Sequence, residues 1–209
     1  MYISYYHREE DYRKIVEFMR ANEFATLVAY DGKKPVASHL LMAVIEEENR
    51  LVVAGHMAKA NSLWKLFERN EEVLLIFQGP HTYISATWYN HVNVPTWNYQ
   101  SVHAYGHPEL VTDHDEVFSV LSHLIQRNEA NPTYRLETLP QDFVEKQMNG
   151  IMAFRVEIAR LEAAFKLSQN RNEEDYQNVI IQLEKRPDEA SHQVAQAMRE
   201  NRKNKDSEN

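Results

Sequence analysis

The sequence predicts a mainly β, α+β fold in which an antiparallel sheet closes on itself and helices flank it. Three observations carry this expectation. Short β-rich runs outnumber helical stripes between residues 24 and 158, and several of those runs are joined by tight-turn chemistry. The helical stripes are also too few to alternate with every strand, as a doubly wound α/β sheet would require.

Tyr12, Ile15, Val16 and Met19 fall on one helical stripe and predict an amphipathic opening helix over residues 9–21. Residues 24–30 and 35–45 are β-rich and flank Asp31-Gly32, which reads as a hairpin turn. A third strand is expected over residues 50–55. Asn61 then caps a helix that carries Leu63, Trp64 and Phe67 and stops near Asn70. Residues 73–77 and 82–88, separated by Gly79-Pro80, predict two further strands, and residues 101–111 another. Asp113 and its neighbours offer caps for a helix carrying Val117, Val120, Leu121, Leu124 and Ile125, and Gly150 opens a last strand over residues 151–158. Tyr176, Val179, Ile180 and Leu183 make a short helix, Pro187 interrupts it, and helical character resumes over residues 188–201. The last eight or so residues are polar enough to be disordered.

With 209 residues, 43% hydrophobic and 26% charged, the chain fits one globular domain with a modest appendage, divided as residues 1–165 and 166–209. The absence of Cys excludes disulfides, thiolate metal sites and cysteine nucleophiles together. Neither a signal peptide nor a membrane-length apolar run is present, so the expected location is the cytoplasm, with no membrane partner. A net charge of −8 gives no support to non-specific DNA binding, which rests on Lys and Arg neutralising phosphates. The only basic cluster is Arg199, Arg202, Lys203 and Lys205 in the tail, and no helix-turn-helix stands out.

Gly55-His56-Met57-Ala58-Lys59-Ala60-Asn61 lies between a strand and a helix. Unpaired N–H groups at the helix start and the Lys59 charge beside them suit a phosphate; the plainer reading is an ordinary turn with one solvated Lys. His103 and His107 share a strand face but lie about 13 Å apart at roughly 3.3 Å per residue, too far to hold one ion, so no metal site is expected. The aromatics around Trp88 and Trp97 can wall a flat ring system or can be core. Ser38-His39 lacks a nucleophile elbow, and Glu46-Glu47-Glu48 reads as a solvated hairpin tip.

Taken in order, Gly55 to Asn61, Gly79-Pro80-His81-Thr82-Tyr83-Ile84-Ser85, Val94 to Tyr99, Val102-His103-Ala104-Tyr105-Gly106 and Lys166-Leu167-Ser168-Gln169-Asn170-Arg171 resemble the PaiB family over about residues 1 to 184. That resemblance implies a split β-barrel of the pyridoxamine-phosphate-oxidase type that binds flavin mononucleotide (FMN). It also implies a homodimer with flavin at the interface and a role as negative regulator of degradative-enzyme synthesis and sporulation, acting on DNA or through a regulatory protein. Carried onto this chain, it puts cofactor contacts at Ser38, His39, His56, Ala58, Lys59 and Asn61, with Trp97 and Asn98 nearby and Lys166 and Ser168 closing the pocket. Two positions depart from the family pattern, Lys59 where Arg is expected and Ser62-Leu63 where Pro-Gln is expected. Lys keeps the charge but loses the bidentate fork, which implies weaker phosphate binding and a site that can purify empty. Other readings of the same fold are an FMN-dependent oxidoreductase, for which no catalytic residue can be named, and a haem-handling protein with His39, His56 or His81 as axial ligand.

Overall fold

In the computed structural model, which describes residues 1–207 and their side chains through Arg202, seven strands form one antiparallel sheet. They are β1 (Arg8–Glu9), β2 (Phe24–Tyr30), β3 (Pro35–Glu47), β4 (Arg50–Ala58), β5 (Val73–Ile84), β6 (Thr96–Val111) and β7 (Ile151–Lys166). Their order is β1-β7-β4-β3-β2-β5-β6, and a further pairing of β7 with β6 closes the ring, as expected from the sequence. Among the described residues five α-helices accompany them: α1 (Tyr12–Ala21), α2 (His114–Asn128), α3 (Gln141–Asn149), α4 (Glu173–Glu184) and α5 (Glu189–Ser207). None of the helices among the described residues is long and apolar enough to cross a membrane.

The residues cluster into two compact units. One comprises Met1–Ile15, Gln78–Val102 and Glu162–Asn209; the other comprises Val16–Phe77 and His103–Leu161. The long strands β5, β6 and β7 each contribute residues to both.

In the second unit the hairpin of β2 and β3 turns through Asp31, whose Oδ1 accepts from Lys33 N and Lys34 N at 2.8 Å each. Those backbone donors hold the Asp31 carboxyl below its usual range. Gly32 supplies the turn's left-handed residue at φ +91°. Leu27, Val53, Leu75, Phe77, Phe154 and Val156 are fully buried and form the core of this unit. Gly106 lies on β6 where it meets β7: a Cβ there would come within 2.2 Å of Glu157 O, so only glycine permits the approach. Helix α2 is capped by Asp113 Oδ1, which accepts from Asp115 N and Glu116 N. Its Val120 and Leu124 pack on Ala43 and Ala54, small residues on β3 and β4 that let the helix approach closely.

Several elements differ from the sequence expectation. Strand β4 runs three residues further, to Ala58, because Met57 and Ala58 pair with Met152 and Ile151 of β7. The helix expected after Asn61 is present, Ser62–Arg69, and is of the 3₁₀ type; it buries Leu63 and Phe67. Gly79-Pro80 does not divide two strands. The β2–β5 ladder ends at Ile76, so Pro80 interrupts none of its hydrogen bonds, and β5 continues to Ile84. Residues 86–88, expected in a strand, form a 3₁₀ turn capped by Ser85. Helix α3 was not anticipated: Val144 and Met148 pack with Leu136 beneath Val117, Leu121 and Ile125 of α2.

In the first unit, α4 and α5 pack through Tyr176, Val179, Ile180 and Leu183 against Val194, Ala195 and Met198, all buried. Tyr176 Oη donates to Met198 O at 2.5 Å, and burial pushes the phenol up to about 12. Helix α5 continues to Ser207, into the tail expected to be polar and disordered, and residues 208–209 of that expectation lie outside the described chain.

Candidate functional site

Within the second unit, β3, β4 and the turn that follows β4 bring Ser38, His56, Ala58, Lys59 and Asn61 onto neighbouring backbone. Asn61 organises the turn. Its Oδ1 accepts from Leu63 N at 3.1 Å, its backbone N donates to Ala58 O at 2.9 Å, and its Nδ2 donates to Ser38 Oγ at 2.8 Å. Lys59 is fixed through its main chain on both sides, since its N donates to Gly150 O at 2.9 Å and its carbonyl accepts from Trp64 Nε1 at 3.1 Å. Its side chain is exposed, and among the described residues its ammonium has no carboxylate partner. This is an uncommitted cation on a rigid mount.

His56, near the end of β4, has a buried Nδ1 with no hydrogen-bond partner, and desolvation lowers its pKa. A buried polar atom without a protein partner calls for water or a ligand. His39 behaves differently. It follows Ser38 on β3 and so points to the opposite face, where its Nδ1 meets Thr26 Oγ1 at 2.9 Å and its ring stacks on Phe24. Thr26 was not singled out from the sequence, because cross-strand register is needed to pair it with His39.

The first unit holds Trp97, Asn98, Lys166 and Ser168. Trp97 and Asn98 alternate on β6: Trp97 is 46% exposed and Asn98 is fully buried. The indole N–H of Trp97 donates to His81 Nδ1 at 3.2 Å, which leaves the proton of neutral His81 on Nε2. Asn98 and Ser168 are both buried and bond each other, with Nδ2 donating to Ser168 Oγ at 3.0 Å and the hydroxyl donating to Asn98 Oδ1 at 3.2 Å. Ser168 occupies the left-handed region at φ 61° without being glycine, and its bonds to Asn98 hold it there. These side chains fix the turn after β7. Lys166, one step earlier, is half-buried and donates to Thr96 Oγ1 at 2.6 Å. Burial first, and then the charge of Arg171, lower its pKa. Arg171 lies over the ring of Tyr89 at 4.8 Å. It was legible as the last residue of the Lys166–Arg171 motif, but nothing in the sequence set it apart as a functional position.

Among the described residues no cluster of three or more His, Asp or Glu could hold a metal ion. In the C-terminal helices, Arg199 pairs with Glu184 at 2.7 Å and Arg202 with Glu173, so two of the four basic tail residues face carboxylates. The side chains of Lys203 and Lys205 lie outside the described residues.

Residues 1–160 match the family described as "Putative FMN-binding domain". The chain is 39% identical over 201 residues to the protease synthase and sporulation protein PAI 2 of Bacillus subtilis, covering 95% of this chain and 96% of that one. Among solved structures it resembles a flavocytochrome from Azotobacter vinelandii, with a TM-score of 0.63 at 18% identity over 84% of this chain and 78% of the other. It also resembles a FAD- and haem-binding protein from Mycobacterium smegmatis, with a TM-score of 0.61 at 13% identity over 77% and 73%. At those identities the two structures speak to the fold alone. With the family match running over residues 1–160 and the likeness to PAI 2 over nearly the whole of both chains, this chain belongs to the PaiB family, within the family described as "Putative FMN-binding domain".

Proposed function

We propose that this chain binds flavin mononucleotide and serves, as a homodimer, in the negative control of degradative-enzyme synthesis and sporulation. The observation that carries the flavin reading is the Lys59 ammonium, exposed and without a carboxylate partner, on a turn fixed by Asn61, Ser38 and Gly150. A dianionic phosphate monoester suits such a cation, because charge-assisted hydrogen bonds are stronger than neutral ones. The unpartnered Nδ1 of His56 is a second polar atom for which a ligand would supply the missing bond. In this reading Lys59 and Asn61 hold the phosphate end. A bound flavin supplies one- or two-electron redox chemistry, and the protein supplies binding and electrostatics.

The regulatory part rests on likeness to PAI 2, whose name ties it to protease synthesis and sporulation. The dimer part is supported by apolar side chains left exposed in the first unit, Tyr83, Val92, Val94 and Trp97. The acidic balance of the chain, with Arg199 and Arg202 facing carboxylates, favours regulation through a protein partner over DNA contact by the tail.

Titration of ligand-free protein with FMN, followed by flavin fluorescence, tests the reading. Saturable quenching with one flavin per chain is the expected result, and unquenched fluorescence at stoichiometric protein overturns it. Light scattering on the same sample is expected to return twice the chain mass of 24.6 kDa.

A further inference from the structure

The turn that follows β7 gathers positive charge without a counter-ion. Lys166 and Arg171 flank it, and His7 reaches it from the segment just before β1, where Arg8 pairs with Ala164 of β7. Gln169 ties these parts together. Its Nε2 donates to Phe165 O, and its Oε1 accepts from Leu167 N at 2.7 Å, so the orientation of the amide is fixed by two main-chain bonds. The same Oε1 lies 3.3 Å from His7 Nδ1. An oxygen cannot donate, so Nδ1 carries the proton, and Nε2 is the atom of His7 that gains or loses one.

The carboxylates nearest in sequence to this cluster are engaged elsewhere. Glu9 accepts from the backbone N–H groups of Glu10 and Asp11, Glu10 faces Arg8 at 3.7 Å, and Glu162 pairs with the Met1 ammonium. Just after Arg171, Glu173 pairs with Arg202, Glu174 accepts from Asn90 Nδ2 at 2.7 Å, and Asp175 accepts from Asn90 N at 2.8 Å and lies 3.2 Å from His91 Nδ1. Among the described residues Lys166 and Arg171 have no carboxylate partner; their contacts are Thr96 Oγ1 and the Tyr89 ring. The charge facing His7 is thus Lys166 on β7, with Arg8 and Glu9 following His7 on β1, while Arg171 on the turn acts on Lys166. Burial holds the His7 pKa down, and Lys166 lowers it further.

We infer that His7, Lys166 and Arg171 form an anion site for a phosphate group, and that filling it draws a proton onto His7 Nε2. The chemistry is direct. Two fixed cations attract a dianion, and the dianion offsets the burial and the repulsion that hold the His7 pKa down, so phosphate binding and protonation of His7 favour each other. Nothing in this inference depends on Lys59 or on flavin being bound.

The test follows the His7 imidazole by proton NMR through a pH titration, assigned by its absence in His7→Gln, in inorganic phosphate and in chloride of equal ionic strength. Phosphate is expected to raise the His7 pKa by about one unit. Arg171→Gln should abolish that rise, and Arg171→Lys should restore part of it. An equal His7 pKa in phosphate and chloride overturns the site, as does a rise that persists in a Lys166→Met, Arg171→Gln double variant whose thermal melt is native-like. Repeating the titration with riboflavin and with FMN identifies the source of the phosphate. If FMN alone reproduces the shift, the group is the flavin's own; if FMN-loaded protein still responds to inorganic phosphate, it belongs to a second ligand. Both outcomes support the site. In Lys59→Ala protein the response of His7 to inorganic phosphate is expected to persist, which separates this site from the flavin reading.

Discussion

The side-chain amide of Asn61 donates to Ser38 Oγ at 2.8 Å while its oxygen caps Leu63 N, so one residue joins β3 to the start of the 3₁₀ helix beside Lys59. Asn61→Ala removes both bonds and is expected to cost about 1 kcal/mol of stability, the usual loss for an N-cap. Asn61→Asp keeps the cap, and the Ser38 hydroxyl can donate to the new carboxylate, so stability should change little. FMN affinity should nevertheless fall, because a negative charge then stands beside Lys59. Urea unfolding and flavin titration on both variants check the pair of outcomes.

Gly106→Ala tests the closure of the ring. The added Cβ would meet Glu157 O at 2.2 Å and Ile158 Cα at 3.0 Å, backbone atoms that cannot rotate aside. A loss of about 1–3 kcal/mol or more is expected, the range for overpacking. An unchanged urea midpoint would show that β6 and β7 do not approach so closely.

His114 joins α2 to α3 by contacting Asp115 at 3.1 Å and Glu145 at 2.9 Å, and these carboxylates raise its pKa. A raised native pKa means that the stabilisation is fully present below the unfolded value near 6.5 and is lost as pH rises through the native value. Amide protection in α3 should therefore weaken from mildly acidic to alkaline pH, and His114→Gln should remove that dependence. The native protein's α3 protection staying flat across this window would contradict the link.

Tyr176 supplies an alkaline counterpart. Its phenol is pushed up to about 12 by burial, so above its ordinary value near 10 the unfolded chain loses this proton first and stability falls as pH rises. Tyr176→Phe should lose about 0.5–1.5 kcal/mol near neutrality with the bond to Met198 O, and should shed the part of the alkaline decline between about 10 and 12 that this phenol causes. Thermal melts of both proteins across that range measure it.

Patterns that act over a few residues were readable in advance. The hairpin at Asp31-Gly32 is carried by local turn chemistry, and the stripe of Ile15, Val16 and Met19 by helical periodicity. What escaped reading depends on distant partners. Two residues, Arg8 and Glu9, form a strand only because Ala163 and Ala164 pair with them. Helix α3 has few apolar residues, and only α2 shows where Val144 and Met148 go. Gly79-Pro80 has the composition of a turn, yet the β2–β5 ladder has already ended before it. In the candidate site, Lys59 and Asn61 could be picked out because cap and charge are adjacent in sequence. His7 could not, since its relation to Gln169 spans 162 residues.

The central claim, that Lys59 reads a flavin phosphate, is tested most directly by titrating wild type and Lys59→Ala with FMN and with riboflavin. The account predicts that the variant loses about 1.5–3 kcal/mol of FMN binding, the range for a charged hydrogen bond, and binds riboflavin almost as the wild type does. Equal losses for the two ligands, or no loss for either, would contradict it.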